Sequence, residues 1–94
     1  MRTIWYVAVI AYHAGEYWAT LPDLPGPNSA DKDVNEALRL LAQFAAEHVA
    51  DLVERGAEVP QARGLDAIEH DPEVIEWGRA LVPVDGRFSL SPEH

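Results

Sequence analysis

LPDLPG, at residues 21–26, separates a part of the chain with strand patterns from a part with a helix pattern. Pro22 and Pro25 remove two backbone donors and fix φ twice, so a hydrogen-bonded ladder is not expected to continue through them. Asp23 lies between them, where a short acceptor side chain can bond a nearby backbone N–H, and Gly26 permits a positive φ. We therefore predict a rigid corner, formed by Pro22, Asp23, Pro25 and Gly26, that ends a strand and directs the chain into a helix.

Two strands are predicted before this corner. Residues 3–12 are rich in β-branched and aromatic side chains and are apolar on both faces, which indicates a central strand covered on both sides. Residues 13–16 are polar and include a glycine, as expected of a hairpin turn, and residues 17–21 return antiparallel. The pattern leaves the register open, with Trp5 and Trp18 as candidate cross-strand neighbours.

One long amphipathic helix is predicted after the corner. Between residues 34 and 55, apolar side chains recur every three or four positions, as on one face of an α-helix. They are Val34, Leu38, Leu41, Ala45, Val49 and Leu52. Asp33 and Glu36 have the spacing of a capping box at the start of the helix, and Gly56 is placed to end it. Residues 27–30 leave room for a short third strand.

Leu40 and Phe44 lie outside this apolar stripe, beside the polar face of the helix and one turn apart. Two interpretations remain open for this pair. Either the C-terminal segment packs over the two side chains, or they form a contact patch for another chain.

The last third of the chain mixes helix and strand signals. Asp71 and Pro72 predict a short second helix that runs to residue 77, as its N-cap and its first residue. Residues 79–84 predict a final strand, and Pro83 favours an edge position for that strand. Residues 87–94 are expected to form a loose tail, and no C-terminal DNA-binding domain is expected.

These elements predict one α+β domain over residues 1–86, in the order β-β-(β)-α-α-β, with a small antiparallel sheet of three to four strands. A single long helix can cover only one face of such a sheet. Because the first strand is apolar on both sides, the other face is predicted to be an exposed apolar patch, and such patches usually mark association. We therefore expect a homodimer or a higher homo-oligomer.

The chain is strongly acidic, with 16 acidic residues against 7 basic residues and a net charge of −9. This charge repels phosphate, so direct nucleic-acid binding is disfavoured and a basic partner is favoured, although solubility alone would also explain it. The lack of cysteine excludes disulfides and thiolate metal sites. No apolar run approaches the ~18 residues of a membrane-spanning helix, so we expect a cytoplasmic protein.

Convergent catalytic groups are not evident in the sequence. His13, His48, His70 and His94 have no partner at metal-ligand spacing, no serine lies in a nucleophile elbow, and no glycine-rich phosphate loop is present. We therefore predict that the chain is not an enzyme and binds no metal or cofactor. The enzyme alternative would use His13 or His48 with nearby carboxylates.

The order of these motifs resembles the HicB family of bacterial antitoxins. The resemblance is carried by an aromatic-rich first strand, a Gly-aromatic second strand, the PDLPG corner, a helix that begins with Glu-Ala, and a Glu-x-Pro after it. These motifs stand here at residues 5–10, 15–19, 22–26, 35–38 and 58–60. Residues 80–85 resemble the last strand of the family.

The resemblance implies a partial RNase H-like fold without RNase H activity, and residues 3–12 indeed carry no carboxylate for a nuclease metal site. It also implies a function, which is to bind and occlude a small basic toxin that cleaves messenger RNA. An orphan interaction module of the same fold, with no toxin, is the alternative. The candidate contact residues for a partner are Trp5, Trp18, Asp23, Leu24, Leu40 and Phe44.

Overall fold

Four antiparallel strands and one long helix make up the fold in this computed structural model, which describes residues 2–86. The elements are β1 (Arg2–His13), β2 (Glu16–Thr20), β3 (Asn28–Asp31), α1 (Val34–Glu54), a 3₁₀ turn (Leu65–Ala67) and β4 (Glu76–Gly86). The strand order in the sheet is β3-β2-β1-β4. The predicted α+β class, the central position of the first strand and the edge position of the last strand are confirmed. The tail predicted at residues 87–94 lies outside the described residues.

The turn between β1 and β2 is a two-residue hairpin loop, closed by the pair His13 and Glu16. Ala14 and Gly15 both have positive φ, 54° and 81°, which is the backbone of a type I′ turn and matches the twist of the strands. The register separates the two tryptophans that were candidate neighbours. Trp18 lies opposite Ala11 on β1, whereas Trp5 lies opposite Pro83 on β4.

The hydrophobic core lies between α1 and one face of the sheet. Because side chains alternate along a strand, this face takes every second residue of β1, and the register adds the matching residues of its neighbours. The fully buried members of this core are Tyr6, Ala8, Ile10, Ala19, Leu24, Leu41, Ala45, Val49 and Val84. Each large apolar side chain buried there contributes about 1.5–3 kcal/mol. The predicted apolar stripe of the helix is confirmed, since its other three residues pack at the margin of this core.

The start of α1 differs from the predicted capping box. Asp33 is the N-cap, and its carboxylate accepts a hydrogen bond from the Asn35 N–H at 3.2 Å. Glu36 does not bond back to the cap, because it forms an ion pair with Arg39 one turn further on, at 2.5 Å. The Asp33 N–H donates instead to the Asp31 carboxylate, at 2.9 Å, so the reciprocal half of the box is replaced by a residue that precedes the helix.

The end of α1 is a Schellman motif. Gly56 has φ +72°, and its N–H donates to the Val53 carbonyl at 3.0 Å, while the Ala57 N–H donates to the Leu52 carbonyl at 2.8 Å. These bonds satisfy carbonyl groups that the last turn of a helix leaves without a partner.

The predicted second helix is wrong. Asp71 begins an isolated turn, in which its carboxylate accepts the Glu73 N–H at 2.9 Å and its carbonyl accepts the Val74 N–H at 3.0 Å. The chain then enters β4 at Glu76, three residues before the predicted start, because β1 offers pairing partners along its whole length. A bulge opposite Ile10 and Ala11 takes up one extra residue of β4. Within residues 2–86, no helix has both the length and the apolar character needed to cross a membrane.

Candidate partner-binding surface

The face of the sheet opposite α1, called the second face here, is the main candidate for a binding surface. Strand alternation and register place the odd-numbered residues of β1 and their cross-strand partners on it. Those used below are Trp5, Val7, Val9 and Ala11 of β1, Trp18 and Thr20 of β2, and Arg79, Leu81 and Pro83 of β4. Trp5 is 53% exposed and Trp18 is 44% exposed, so this face presents two large aromatic side chains to solvent.

Residues 63–75, called the strap, cross part of the second face. Ile68 of the strap is buried, and Val7, which the register places on the second face, is fully buried. Ile68 and Val74 share the lining of one cavity with Val9 and Ala11 of β1. The expectation of an entirely bare second face is therefore wrong. The strap, which has little regular structure, covers part of this face in place of a second helix.

The first anchor of the strap is an ion pair between the corner and Arg63. The Asp23 carboxylate accepts the Arg63 backbone N–H at 2.8 Å and its Nε at 2.8 Å, and Arg63 Nη2 lies 2.7 Å away. These hydrogen bonds hold the pKa of Asp23 below its ordinary value, against a smaller opposing effect of burial. Asp23 was expected to bond a nearby N–H, and it bonds one that lies 40 residues further along the chain.

Further contacts hold the corner and the residues just before the strap in place. The Leu24 N–H donates to the Leu21 carbonyl at 3.0 Å, which closes a β-turn with Pro22 at its second position. Gly26 has φ +124°, and a Cβ there would lie 3.3 Å from the His48 ring. The Tyr6 hydroxyl donates to the Pro60 carbonyl just before the strap, and burial, with a further contribution from the Asp23 charge, raises the pKa of Tyr6.

The second anchor joins the strap to the start of β4. The Glu76 carboxylate accepts hydrogen bonds from Arg79 Nε at 2.6 Å and from His70 Nδ1 at 2.9 Å. Arg79 Nη1 also donates to the Leu65 carbonyl of the strap at 2.6 Å. Glu76 is only 12% exposed at its side chain, and the hydrogen bonds from Arg79, followed by the nearby charges, keep its pKa below the ordinary value.

A cavity of about 380 Å³ lies between the strap and the hairpin half of the second face. Its lining is mainly apolar, with three carboxylates on the strap side. The lining residues are Val9, Ala11, Trp18, Thr20, Pro22, Ile68, Glu69, Asp71, Val74 and Glu76. The Trp18 indole is held in place, since its Nε1–H donates to the His13 carbonyl at 3.1 Å.

The candidate contact residues fall in three separate places. Trp5 and Trp18 lie on the second face, Trp18 in the cavity and Trp5 in an open groove beside residues 59–62. Leu40 and Phe44 lie on α1, on the opposite side of the sheet, and Phe44 is partly exposed. The interpretation that the C-terminal segment covers this pair involves residues beyond 86, which lie outside the described residues.

The two candidates in the corner are structural. Leu24 is buried in the core, and the Asp23 side chain is 8% exposed and occupied by Arg63. Neither side chain is presented to a partner, so both are corrected from contact residues to residues that hold the corner and the strap. This follows from the β-turn, which points Leu24 inward and leaves the Asp23 carboxylate facing the strap.

The histidines do not form a site in the described part of the chain. His13 ends β1, His48 packs beside Gly26, and His70 pairs with Glu76. Among residues 2–86, no group of three or more His, Asp or Glu side chains is arranged to hold a metal ion.

Sequence reasoning missed the residues that hold the strap, which are Arg63, Ile68, His70 and Arg79. Nothing near Arg63 in the sequence points to its partner, because Asp23 lies 40 residues away. One signal was present for Ile68, which is the only aliphatic residue larger than alanine between 66 and 73. An isolated apolar residue in a polar segment is typical of a segment that docks at one point.

Residues 6–92 match the model of a family described as the HicB-like antitoxins of bacterial toxin–antitoxin systems. A crystal structure of the antitoxin HicB from Burkholderia pseudomallei is similar, with a TM-score of 0.78 and 25% sequence identity, over 97% of this chain and 71% of that chain. A crystal structure of the N-terminal domain of the same antitoxin is similar at a TM-score of 0.72 and 25% identity, over 87% of this chain and 99% of that chain.

A chain of a toxin–antitoxin complex from Streptococcus pneumoniae has a TM-score of 0.73 over 99% of this chain and 80% of that chain. Its sequence identity of 19% makes this a likeness of fold alone. No match to the chain was found among curated proteins.

Proposed function

Because the chain belongs to the HicB-like antitoxins of bacterial toxin–antitoxin systems, we propose that it binds and occludes a small basic toxin that cleaves messenger RNA. The observation that carries this proposal is the family match over residues 6–92. The chain acts by binding and not by catalysis. We place it in the bacterial cytoplasm, where such a toxin would meet messenger RNA.

The charge of the chain supports a basic partner. A protein that cleaves RNA must hold a polyanion, and it does so with lysine and arginine side chains. A chain with a net charge of −9 attracts such a surface, raises the rate of encounter and competes with RNA for it. Steric cover and charge complementarity together would block the toxin without any chemical step.

The second face supports the proposal through its exposed aromatic side chains. Tryptophan is enriched among the residues that contribute most to the affinity of protein interfaces, because it buries a large area with few rotatable bonds. Trp5 and Trp18 offer two such anchors on a rigid sheet. Leu40 and Phe44 on α1 offer the competing surface.

The test is co-expression with the small basic protein encoded next to the gene of this chain. We expect the two proteins to co-purify, and we expect cleavage of a messenger RNA by the purified toxin to stop once the chain is present in equal amount. The double variant Trp5→Ala/Trp18→Ala should weaken the complex at least tenfold. The matched double variant Leu40→Ser/Phe44→Ser, on the other side of the sheet, should leave the affinity within about twofold.

Two results would contradict the proposal. If no small basic protein co-purifies, the alternative of an orphan interaction module gains support. If the complex forms and cleavage continues at saturating amounts of the chain, occlusion is wrong. An effect of the Leu40/Phe44 variant alone would move the interface to the outer side of α1 and leave the antitoxin role intact.

A further inference from the structure

We propose that the cavity between the strap and the second face receives an arginine side chain, supplied by the toxin. The inference rests on the proposed function for the source of the arginine, and on the chemistry of the cavity for the kind of group that enters. With a volume of about 380 Å³, the cavity falls within the range of protein ligand sites.

The lining of the cavity combines an apolar wall with acidic groups of one sign. Val9, Ala11 and Val74 provide aliphatic surface, while Glu69 and Asp71 provide carboxylates, and no Lys, Arg or His takes part in the lining. A side chain with an apolar stem and a cationic end satisfies both parts, since its stem covers the aliphatic wall and its charge meets the carboxylates.

Trp18 favours arginine over lysine. Its indole is fixed by the hydrogen bond from Nε1 to the His13 carbonyl, so little order is lost when a ligand stacks on it. A planar guanidinium stacks on an indole face and also bonds a carboxylate through two N–H groups, whereas an ammonium group is more strongly hydrated and lacks the planar fork.

The three carboxylates of the cavity differ in the hydrogen bonds and ion pairs that they already form within the fold. Glu76 is engaged by Arg79 and His70, so its charge is largely neutralised within the fold. Asp71 uses Oδ1 to accept the Glu73 N–H and keeps its negative charge. Glu69 is exposed at the cavity wall. The Arg63 guanidinium is near enough to interact with the charge of Glu69, but it forms its ion pair with Asp23, so Glu69 is the carboxylate best placed to meet an incoming guanidinium.

The source of the arginine follows from charge. A second copy of this chain also carries a net charge of −9, so two copies repel each other at an acidic cavity. A basic protein is attracted to the same place. The cavity therefore fits a side chain of the partner that the family membership suggests, and not a second copy of the chain.

The test uses the full chain and the small basic protein encoded beside its gene. Glu69→Gln removes one charge at the cavity wall, and Trp18→Leu removes the stacking surface and keeps an apolar residue. Glu54→Gln removes a charge from the exposed end of α1 and serves as the matched control. We expect calorimetry to show about fivefold weaker toxin binding for Glu69→Gln, at least tenfold weaker binding for Trp18→Leu, and a change below about twofold for the control.

A second arm examines arginine directly. N-acetyl-L-arginine methylamide is titrated into the free chain, and the indole N–H resonance of Trp18 is followed by ¹H–¹⁵N NMR, with N-acetyl-L-lysine methylamide as the comparison. We expect the arginine compound to shift this resonance more than the lysine compound does, and the shift to shrink in Glu69→Gln. Circular dichroism of each variant confirms that the sheet and helix are kept.

The outcomes separate the inference from the proposed function. If the wild-type chain binds the toxin and both cavity variants bind as tightly as the control, the inference is wrong and the antitoxin function stands. Equal shifts with arginine and lysine would also overturn it. A Trp18 resonance that moves with protein concentration alone would assign the cavity to a second copy. If the wild-type chain binds no toxin, both the inference and the proposed function fall.

Discussion

The Asp23 side chain connects two parts of the chain that lie 40 residues apart. It joins the corner to the first residue of the strap, and at 8% exposure it is well shielded from solvent. We expect Asp23→Asn to lower the free energy of unfolding by about 1–2 kcal/mol at neutral pH, because the charged partner of Arg63 is lost while an amide oxygen remains. Urea unfolding followed by tryptophan fluorescence measures this loss.

The same variant has a pH dependence with a defined sign. The pKa of Asp23 is lowered in the folded state from 3.8, so its contribution is complete above that value and is lost as the pH falls through the folded pKa. The difference between the wild type and Asp23→Asn should therefore shrink as the pH is lowered below about 3.8. Asp66→Asn, at an exposed position of the 3₁₀ turn, is the control and should change the free energy of unfolding by less than about 0.5 kcal/mol. A difference that stays constant in acid would exclude the ion pair as its cause.

Ala14 is the one non-glycine residue with positive φ among those the structure describes, at 54°. An L-residue with a Cβ loses about 1–2 kcal/mol in this conformation, whereas asparagine tolerates it and is preferred in type I′ turns. We expect Ala14→Asn to raise the free energy of unfolding by about 0.5–1 kcal/mol, measured by thermal unfolding. Gly15→Ala, at φ 81°, should change stability in the opposite direction. An unchanged free energy of unfolding in Ala14→Asn would show that alanine is not strained at this position of the turn.

At the scale of elements, the strap depends on few contacts. Arg79 of β4 bonds the Leu65 carbonyl of the strap, and it also holds Glu76, which contacts His70 of the strap. We expect Arg79→Ala to release the strap while the sheet and α1 remain folded, because the core lies on the other side of the sheet. Faster amide hydrogen exchange and proteolysis within residues 63–75 would report the release.

The control for this variant is Arg39→Ala. Arg39 also forms an i,i+3 ion pair, with Glu36, but that pair lies on the exposed surface of α1 and contributes little to stability. Amide hydrogen exchange within the strap should be the same in Arg39→Ala as in the wild type. Equal protection of the strap in Arg79→Ala and the wild type would show that Ile68 and the Asp23–Arg63 pair hold the strap without Arg79.

The elements that could be predicted are those whose signal is local. A run of β-branched and aromatic residues identified β1, the periodicity of 3.6 identified α1, and Gly56 marked its end, because each pattern extends over neighbouring residues. The corner was predicted from its prolines, but its link to Arg63 was not, since contacts across 40 residues leave no periodic trace. The second helix failed because Asp71 and Pro72 start a turn as readily as a helix, and the pairing of Glu76 with β1 decided between them.

The same difference between local signals and long-range contacts decides which features of the candidate site could be predicted from the sequence. Alternation assigned Trp5 and Trp18 each to one face of its own strand, and the register that places both on the second face came from the structure. The cavity beside Trp18 could not be predicted, because it exists only where the strap crosses the sheet. Leu24 could not be told from an exposed residue, since a corner gives no period from which to infer the buried side.

At the scale of the whole molecule, the end of the second face that the strap leaves open supports self-association. Trp5 lies there beside Leu81 and Pro83, and all three side chains are exposed. For the chain without its toxin we predict a homodimer or higher homo-oligomer that buries this end and that the toxin displaces at Trp5, because an exposed apolar patch usually marks an interface. Light scattering should give a multiple of the protomer mass, and Trp5→Lys should give the protomer.

The matched control is Phe44→Lys, which places the same charge on the outer side of α1. It should leave the mass unchanged. A single protomer at millimolar concentration for the wild-type chain would contradict the prediction, and a loss of association in Phe44→Lys alone would assign the interface to α1.

Arg2 pairs with Gly86 across β1 and β4, and this has a practical consequence for labelling. Residues 2 and 86 therefore lie side by side, at the end of the sheet away from the β1–β2 hairpin. Ala11 in the cavity wall lies nine positions along β1 from Arg2, a span of about 30 Å. A fluorophore or surface tether attached near either limit would stand clear of the cavity, so immobilised bait could be prepared in both orientations and compared for capture of the toxin.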